Sequence, residues 1–129
     1  MRENDVGPEN ERGKDVLAPF CPAYSHAMEI IGRRWTGAII RSMLAGAGRY
    51  SEIVAAVPGL SDRLLSERLK ELENEGIVAR SVTPSTPVRI DYTLTEKGRA
   101  LASVVREVAT WAERWGDGAA ASRDETRAG

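Results

Sequence analysis

Arg63, Ser66, Glu67 and Lys70 fall at intervals of three, one and three, which on a helix gathers a guanidinium, a hydroxyl, a carboxylate and an ammonium on one side. These groups suit the reading of base edges and the holding of phosphates: arginine pairs with guanine in bidentate fashion, and glutamate accepts from the cytosine amino group. The same four residues on a merely solvated helix face would do neither, so the surrounding elements must decide. Other chemistry has less support. His26 has no carboxylate partner at a fixed spacing and no second metal ligand nearby, and Cys21, five residues earlier, falls on a different helical face. There is no glycine-rich phosphate loop, nucleophile elbow or metal-ligand cluster. One cysteine excludes an intramolecular disulfide and a cysteine-based zinc site. The sequence calls for no enzyme, no catalytic residue, no metal and no cofactor.

The four residues must be positioned by a helix over Asp62 to Asn74, whose Leu65, Leu69 and Leu72 form the opposite, apolar stripe. Ser61 is its natural N-cap. Ahead of it, Tyr50 to Val57 forms a short helix with Ile53 and Val57 on one face, and Pro58-Gly59 stops it. Two such helices make a helix-turn-helix, or equally an ordinary αα-hairpin. The stretch that follows decides between them. After Gly76 the period becomes two: Val88, Ile90, Tyr92 and Leu94 point one way and Arg89, Asp91 and Thr93 the other, a half-buried strand. Ile77 to Val82 is its partner, joined through Thr83-Pro84-Ser85-Thr86-Pro87. A hairpin directly after a helix-turn-helix is the winged arrangement and favours DNA binding.

Upstream, a helix opens at Pro22 and carries Tyr24, Ala27, Met28 and Ile31, with Gly32 as its stop. A second helix is expected from Arg34 to Leu44, with Trp35, Ile39, Ile40, Met43 and Leu44 on one broad apolar face. Downstream, Thr95 caps a last helix running through Lys97 to Trp115. Its Leu101, Val104, Val108, Trp111 and Trp115, spaced three, four, three and four, form a seam that requires another helix to cover it. The expected fold class is α+β, mainly α: a winged helix-turn-helix with a two-stranded β-hairpin wing and N- and C-terminal dimerisation helices. Its domain spans residues 19–116, between a flexible arm over 1–18 and a disordered tail over 117–129.

At 129 residues the chain is one domain with room for a core. No apolar run approaches the roughly 20 residues needed to cross a bilayer, and nothing at the N-terminus marks export, so a cytoplasmic setting is expected. Eighteen basic side chains stand against nineteen acidic ones. Residues 1–20 carry three basic and five acidic groups, 21–98 ten and nine, and 99–129 five and five. DNA binding must therefore rest on local clustering, because this balance is not the usual footprint of a nucleic-acid binder.

The residues quoted resemble the HxlR-type winged helix-turn-helix transcriptional regulators of bacteria, relatives of the MarR group, over about Cys21 to Trp115. The resemblance runs through Cys21-Pro22, Ile31-Gly32-Arg33-Arg34-Trp35 and Arg49-Tyr50-Ser51-Glu52. It continues through Pro58-Gly59-Leu60-Ser61, Leu69-Lys70-Glu71-Leu72-Glu73 with Gly76-Ile77-Val78, and Val88 to Gly98. Arg33-Arg34-Trp35 departs from the usual Gly-Lys-Trp and keeps its basic character. The resemblance implies a homodimer, paired through its terminal helices, that binds double-stranded DNA and regulates promoters near its own gene.

Within that frame Ser61, Arg63, Ser66, Glu67 and Lys70 are the expected contacts of the second helix, and Asp62 stabilises its N-terminus instead. Arg80, Ser85, Thr86 and Arg89 on the wing, with Arg49, are expected to position the protein on the backbone. Arg33 and Arg34 also stand where phosphates could meet them. Leu101, Val104, Val108, Trp111 and Trp115 are the expected dimerisation residues. Cys21, ahead of Pro22 at a helix start where the helix dipole favours negative charge, is a candidate redox sensor, since some relatives with a Cys-Pro at this position respond to oxidants or electrophiles. The alternative is a small, buried apolar residue. Two rival functions stand beside DNA regulation. One is a winged-helix module that binds protein, which the near-neutral charge keeps in play. The other is a sensor with a small-molecule effector in a pocket lined by Trp35, Trp111 and the first helix.

Overall fold

The computed structural model describes residues 19–116. The expected arm over 1–18 and tail over 117–129 lie outside the described residues. The described residues divide into two compact units, one ending at Thr36 and the other beginning at Gly37. In the first, α1 (Pro22–Ile31) starts with Cys21 as N-cap and Pro22 in its first turn, where the missing N–H is no loss. Gly32 ends it, donating to the Met28 carbonyl at 2.7 Å. The apolar face expected on α1 is present, with Tyr24 and Met28 exposed.

One expectation fails here. The second helix begins not at Arg34 but as α2 (Thr36–Leu44), and Trp35 lies outside it with φ +81°. The chain turns between the helices within a few residues, closed by the Thr36 N–H on the Arg33 carbonyl at 3.1 Å. That turn uses one left-handed residue, and it falls on Trp35, whereas Gly32 sits at φ −80°. Trp35 is therefore off the helical face where its spacing had placed it.

The second unit holds the core. Ile39, Ile40 and Met43 on α2, Ile53 on α3 (Tyr50–Ala56), and Leu65, Leu69 and Leu72 on α4 (Asp62–Asn74) are buried, with Val57 and Leu60 from the turn between α3 and α4. Burial of side chains of this size stabilises the fold by about 1.5–3 kcal/mol each. Glu52 opens α3 by accepting from the Gly48 and Arg49 N–H groups at 2.8 and 3.0 Å. Gly59 takes φ +89°, and the turn hands over to Ser61, whose Oγ accepts from the Leu64 N–H at 3.1 Å as the expected N-cap. At the other end of α4, Gly76 is left-handed at φ +75°. The Ile77 N–H reaches back to the Leu72 carbonyl and the Gly76 N–H to the Glu73 carbonyl, both at 2.9 Å, which is a Schellman ending.

The chain then forms the hairpin, β1 (Val78–Thr83) paired antiparallel with β2 (Arg89–Leu94), in a register running from Val78 opposite Leu94 to Thr83 opposite Arg89. Its base is buried through Val78 and Leu94, and β2 is tied to the segment before α3 by the Tyr92 N–H on the Gly48 carbonyl at 2.7 Å. Val88, expected on the half-buried face, is exposed, as is Val82; β2 is half-buried from Ile90 to Tyr92 and fully buried only at its base. The result is a mainly helical winged helix-turn-helix.

A second correction concerns the last helix, which is not continuous. It divides into α5 (Glu96–Arg99) and α6 (Ala102–Trp115), with the Leu101 N–H closing a tight turn on the Gly98 carbonyl. Thr95 is the cap expected, accepting from the Gly98 N–H at 3.1 Å while its hydroxyl donates to the Gly76 carbonyl. That cap and the buried Gly98 hold α5 against the base of the hairpin, so the chain re-aims before α6 begins.

Candidate nucleic-acid interface

The outer face of α4 carries Ser61, Arg63, Ser66, Glu67 and Lys70, all exposed, as the leucine spacing requires. Ser61 spends a lone pair on its cap and keeps its proton. Arg63 is 87% exposed, with Nε 3.3 Å from Glu67 Oε2. A pair so open to water contributes about 0.3–0.5 kcal/mol, so the guanidinium is easily released to another acceptor. Glu67 also lies 3.8 Å from Arg68 Nη1, which is itself 3.4 Å from Glu71 Oε2. The carboxylate thus sits between two guanidinium groups.

The hairpin makes two open grooves with these helices. One, of about 410 Å³, runs between α4 and the strands and brings Ser66, Glu67 and Lys70 together with Arg80. The other, of about 560 Å³, lies between the start of α3 and the hairpin end, and gathers Arg49, Ser85, Thr86 and Arg89. Ser61 and Arg63 line neither groove and stand at the open start of α4. Ser85 folds its hydroxyl onto the Pro87 carbonyl at 2.7 Å, which shapes the end of the wing.

Two residues matter here that the sequence reading did not single out. Asp91 holds Arg89 at 2.9 Å and stands 3.9 Å from Arg49, so one carboxylate links the wing to the start of α3. Its two-residue separation from Arg89, on the same side of a strand, was a readable signal. Tyr50 reaches from α3 to α4: its hydroxyl donates to the Asp62 carbonyl and lies 3.3 Å from Ser66 Oγ. Separations of twelve and sixteen residues leave no such signal. Glu52 titrates below the ordinary carboxylate range, because the Gly48 and Arg49 N–H groups donate to its charged form.

Leu101, the residue before α6, is half-buried, while Val104, Val108, Trp111 and Trp115 on it are exposed, the two indoles at 64% and 66%. The Arg114 guanidinium lies over the Trp115 ring, 5.1 Å from its centroid. In the first unit the Arg34 guanidinium covers the Trp35 ring at 4.9 Å, and the buried Trp35 Nε1 finds no hydrogen-bond partner among the described residues. Arg33 and Arg34 are exposed, and Cys21 is half-buried with no capping bond from its side chain. Among the described residues no three His, Cys, Asp or Glu side chains gather as a metal site, and no helix is long and apolar enough to cross a membrane.

The description "HxlR-like helix-turn-helix" matches residues 30–120. The chain is 54% identical over 98 residues to the uncharacterised HTH-type transcriptional regulator YvaP of Bacillus subtilis, covering 76% of this chain and 91% of that protein. It is 46% identical over 96 residues to the HTH-type transcriptional regulator YodB of the same organism, covering 74% and 86%. The reduced form of YodB superimposes with a TM-score of 0.67 at 44% identity, covering 77% of this chain and 97% of that one. A diamide-treated form gives 0.65 at 45%, covering 76% and 97%, and a quinone-bound form 0.64 at 42%, covering 74% and 100%.

Proposed function

The chain belongs to the HxlR-like helix-turn-helix family of transcriptional regulators, and from that premise we propose that it acts as a homodimer on an inverted-repeat operator in double-stranded DNA. The observation that carries this reading is the outer face of α4, open along Arg63, Ser66, Glu67 and Lys70 and flanked by a basic hairpin. In a winged helix this face enters the major groove and the wing rests on the backbone. Four cations line the grooves beside the helix: Lys70 and Arg80 in one, together with Glu67 and Glu73, and Arg49 and Arg89 in the other, with Asp91 close to both. An electrophoretic shift with the DNA upstream of its own gene tests the proposal. Absence of a shift at low salt overturns it in favour of a protein-binding module.

The two classes of arginine separate under mutation. Arg63→Ala removes a base reader, so discrimination at one base pair in each half-site falls by about 10-fold or more, while binding to random DNA changes little. Arg89→Ala removes a backbone contact, weakens all duplexes alike and makes the dependence of log affinity on log salt shallower by about one unit. Titrations of operator and random duplexes at several salt concentrations check both. An unchanged operator-to-random ratio in Arg63→Ala shows that α4 has been assigned the wrong role.

Cys21 is the proposed point of control. YodB has been solved in reduced, diamide-treated and quinone-bound forms, and the thiol here stands at a helix start without a capping duty. With no second cysteine in the chain, the thiol can form a disulfide with another chain, a mixed disulfide with a small thiol, or an alkylated adduct. Diamide takes two electrons and two protons from two Cys21 thiols of separate chains, or from Cys21 and a small thiol, and joins them as a disulfide; a quinone ring accepts the sulfur with transfer of its proton to the reduced ring. Each of these changes is expected to alter operator affinity at least several-fold. Diamide- and quinone-treated protein, before and after thiol reduction, compared with Cys21→Ser, provides the check. Equal binding by treated and untreated wild type, or an unchanged response in Cys21→Ser, removes Cys21 as the sensor.

A further inference from the structure

Tyr50 Oη, Asp62 O and Ser66 Oγ form a chain of hydrogen bonds whose direction is fixed by elementary proton counting. A backbone carbonyl carries no proton, so in the contact with Asp62 the phenol must donate. A phenol has one proton, now committed. In its 3.3 Å contact with Ser66 the Tyr50 oxygen can therefore only accept, and the serine hydroxyl must donate. Serine likewise has a single proton. What Ser66 presents outward from the exposed face of α4 is lone pairs alone.

A free serine is ambivalent in the major groove, since its hydroxyl serves a donor or an acceptor equally. A serine whose proton is held behind it is not. Adenine N6 and cytosine N4 offer hydrogens to such an oxygen, whereas guanine N7 and O6 and thymine O4 set lone pair against lone pair. Docking on DNA removes competing water, which strengthens both the chain and the discrimination it imposes. We infer that Tyr50 is a specificity-determining residue: it makes Ser66 a one-way acceptor, so that this position on α4 selects a base bearing an exocyclic amino group, adenine or cytosine, over guanine or thymine. The inference rests on the DNA-reading role of α4 proposed above and deepens it. Tyr50 itself touches no base; it acts through Ser66.

The test is selection from a pool of synthetic duplexes with a randomised core, carried out with wild type, Tyr50→Phe and Ser66→Ala, followed by titration of single-base variants of the selected duplex. Wild type is expected to hold one position in each half-site where adenine or cytosine exceeds guanine or thymine by about 5-fold, the worth of one net hydrogen bond. Tyr50→Phe frees the serine proton, and guanine or thymine then becomes acceptable at that position alone, with every other position unchanged. Ser66→Ala, which leaves the Tyr50–Asp62 contact in place, loses the preference for adenine and cytosine, and any preference left is for thymine, whose C5-methyl the alanine methyl can meet. If Tyr50→Phe weakens all duplexes alike with wild-type base ratios, Tyr50 merely supports the fold and the inference fails. Retention of the preference in Ser66→Ala overturns it too. A wild type that enriches no sequence at all overturns the role of α4 with it, an outcome distinct from an enriched sequence that both variants select unchanged.

Discussion

Replacing Trp111 and Trp115 together by alanine is expected to yield a monomer whose affinity for a two-half-site operator is lower by about 10²–10⁴-fold, the advantage that linkage of two binding modules confers. The size follows from what α6 leaves open. Val104, Val108 and both indoles are exposed on one helical seam in the single chain, and a contiguous apolar patch of this kind marks an interaction surface. Tryptophan truncations at the centre of an interface commonly cost about 2 kcal/mol or more each, and two-fold symmetry counts each of them twice. Neither indole belongs to the buried core, so the monomer should retain its helical circular dichroism. Sedimentation velocity gives the oligomeric state and a gel-shift titration the affinity. A double variant that sediments as a dimer refutes the role of the seam.

Gly98→Ala is expected to destabilise the fold by about 3 kcal/mol, at the upper end of ordinary overpacking. A Cβ at this position would stand 2.2 Å from the Ile77 carbonyl oxygen, 3.2 Å from its carbon and 3.0 Å from Leu94 Cδ2. The carbonyl cannot retreat freely, because it accepts from the Thr95 N–H at 3.0 Å. Helix propensity works the other way and favours alanine by about 1 kcal/mol, too little to offset backbone pressed on backbone. In a domain of this size 3 kcal/mol lowers Tm by about 12–24 °C, read by thermal unfolding. Gly37→Ala is the matched comparison: it lies on α2, among the described residues no atom outside its chain neighbours and its own helix's backbone comes within 4 Å of its Cβ position, and its Tm should hold or rise. Equal Tm values for the two variants would show that the contact at Gly98 relaxes without loss.

What was legible in the sequence was local. Leu65, Leu69 and Leu72 mark one stripe of α4 by spacing alone, Ser61 marks its start, and Pro58-Gly59 marks the turn; each signal lies within a few residues of what it determines. The hairpin followed from alternation, up to Val88, whose exposure depends on how far the helices extend beneath the strands. Trp35 defeats periodicity because its place is decided by a turn without the usual glycine or asparagine at the left-handed position. The break between α5 and α6 depends on contacts across some twenty residues, such as Lys97 Nζ on the Glu75 carbonyl and Thr95 on Gly76, and no local pattern announces these. The same holds for the candidate interface. Its cations could be picked out by type, but the carboxylate of Asp91 between two arginines and the phenol of Tyr50 behind Ser66 appear only when the chain is folded.

The hairpin, buried at its base, half-buried along Ile90 to Tyr92 and exposed at its end, has a thermodynamic gradient along its length. At the base, Val78, Leu94 and the Tyr92–Gly48 bond must all yield before the strands part, so opening there approaches the free energy of global unfolding. Further out the strands are held by their own ladder and by the Arg49–Asp91 pair, with Val82 and Val88 in solvent, and fraying requires less. The wing thus consists of a fixed stem and a compliant end. A compliant end accommodates grooves of different width at small energetic penalty, but the ordering it undergoes on binding subtracts from its affinity. In the DNA-binding role proposed above, such an element would steady the protein on many sequences and discriminate among few, leaving selectivity to the helix beside it.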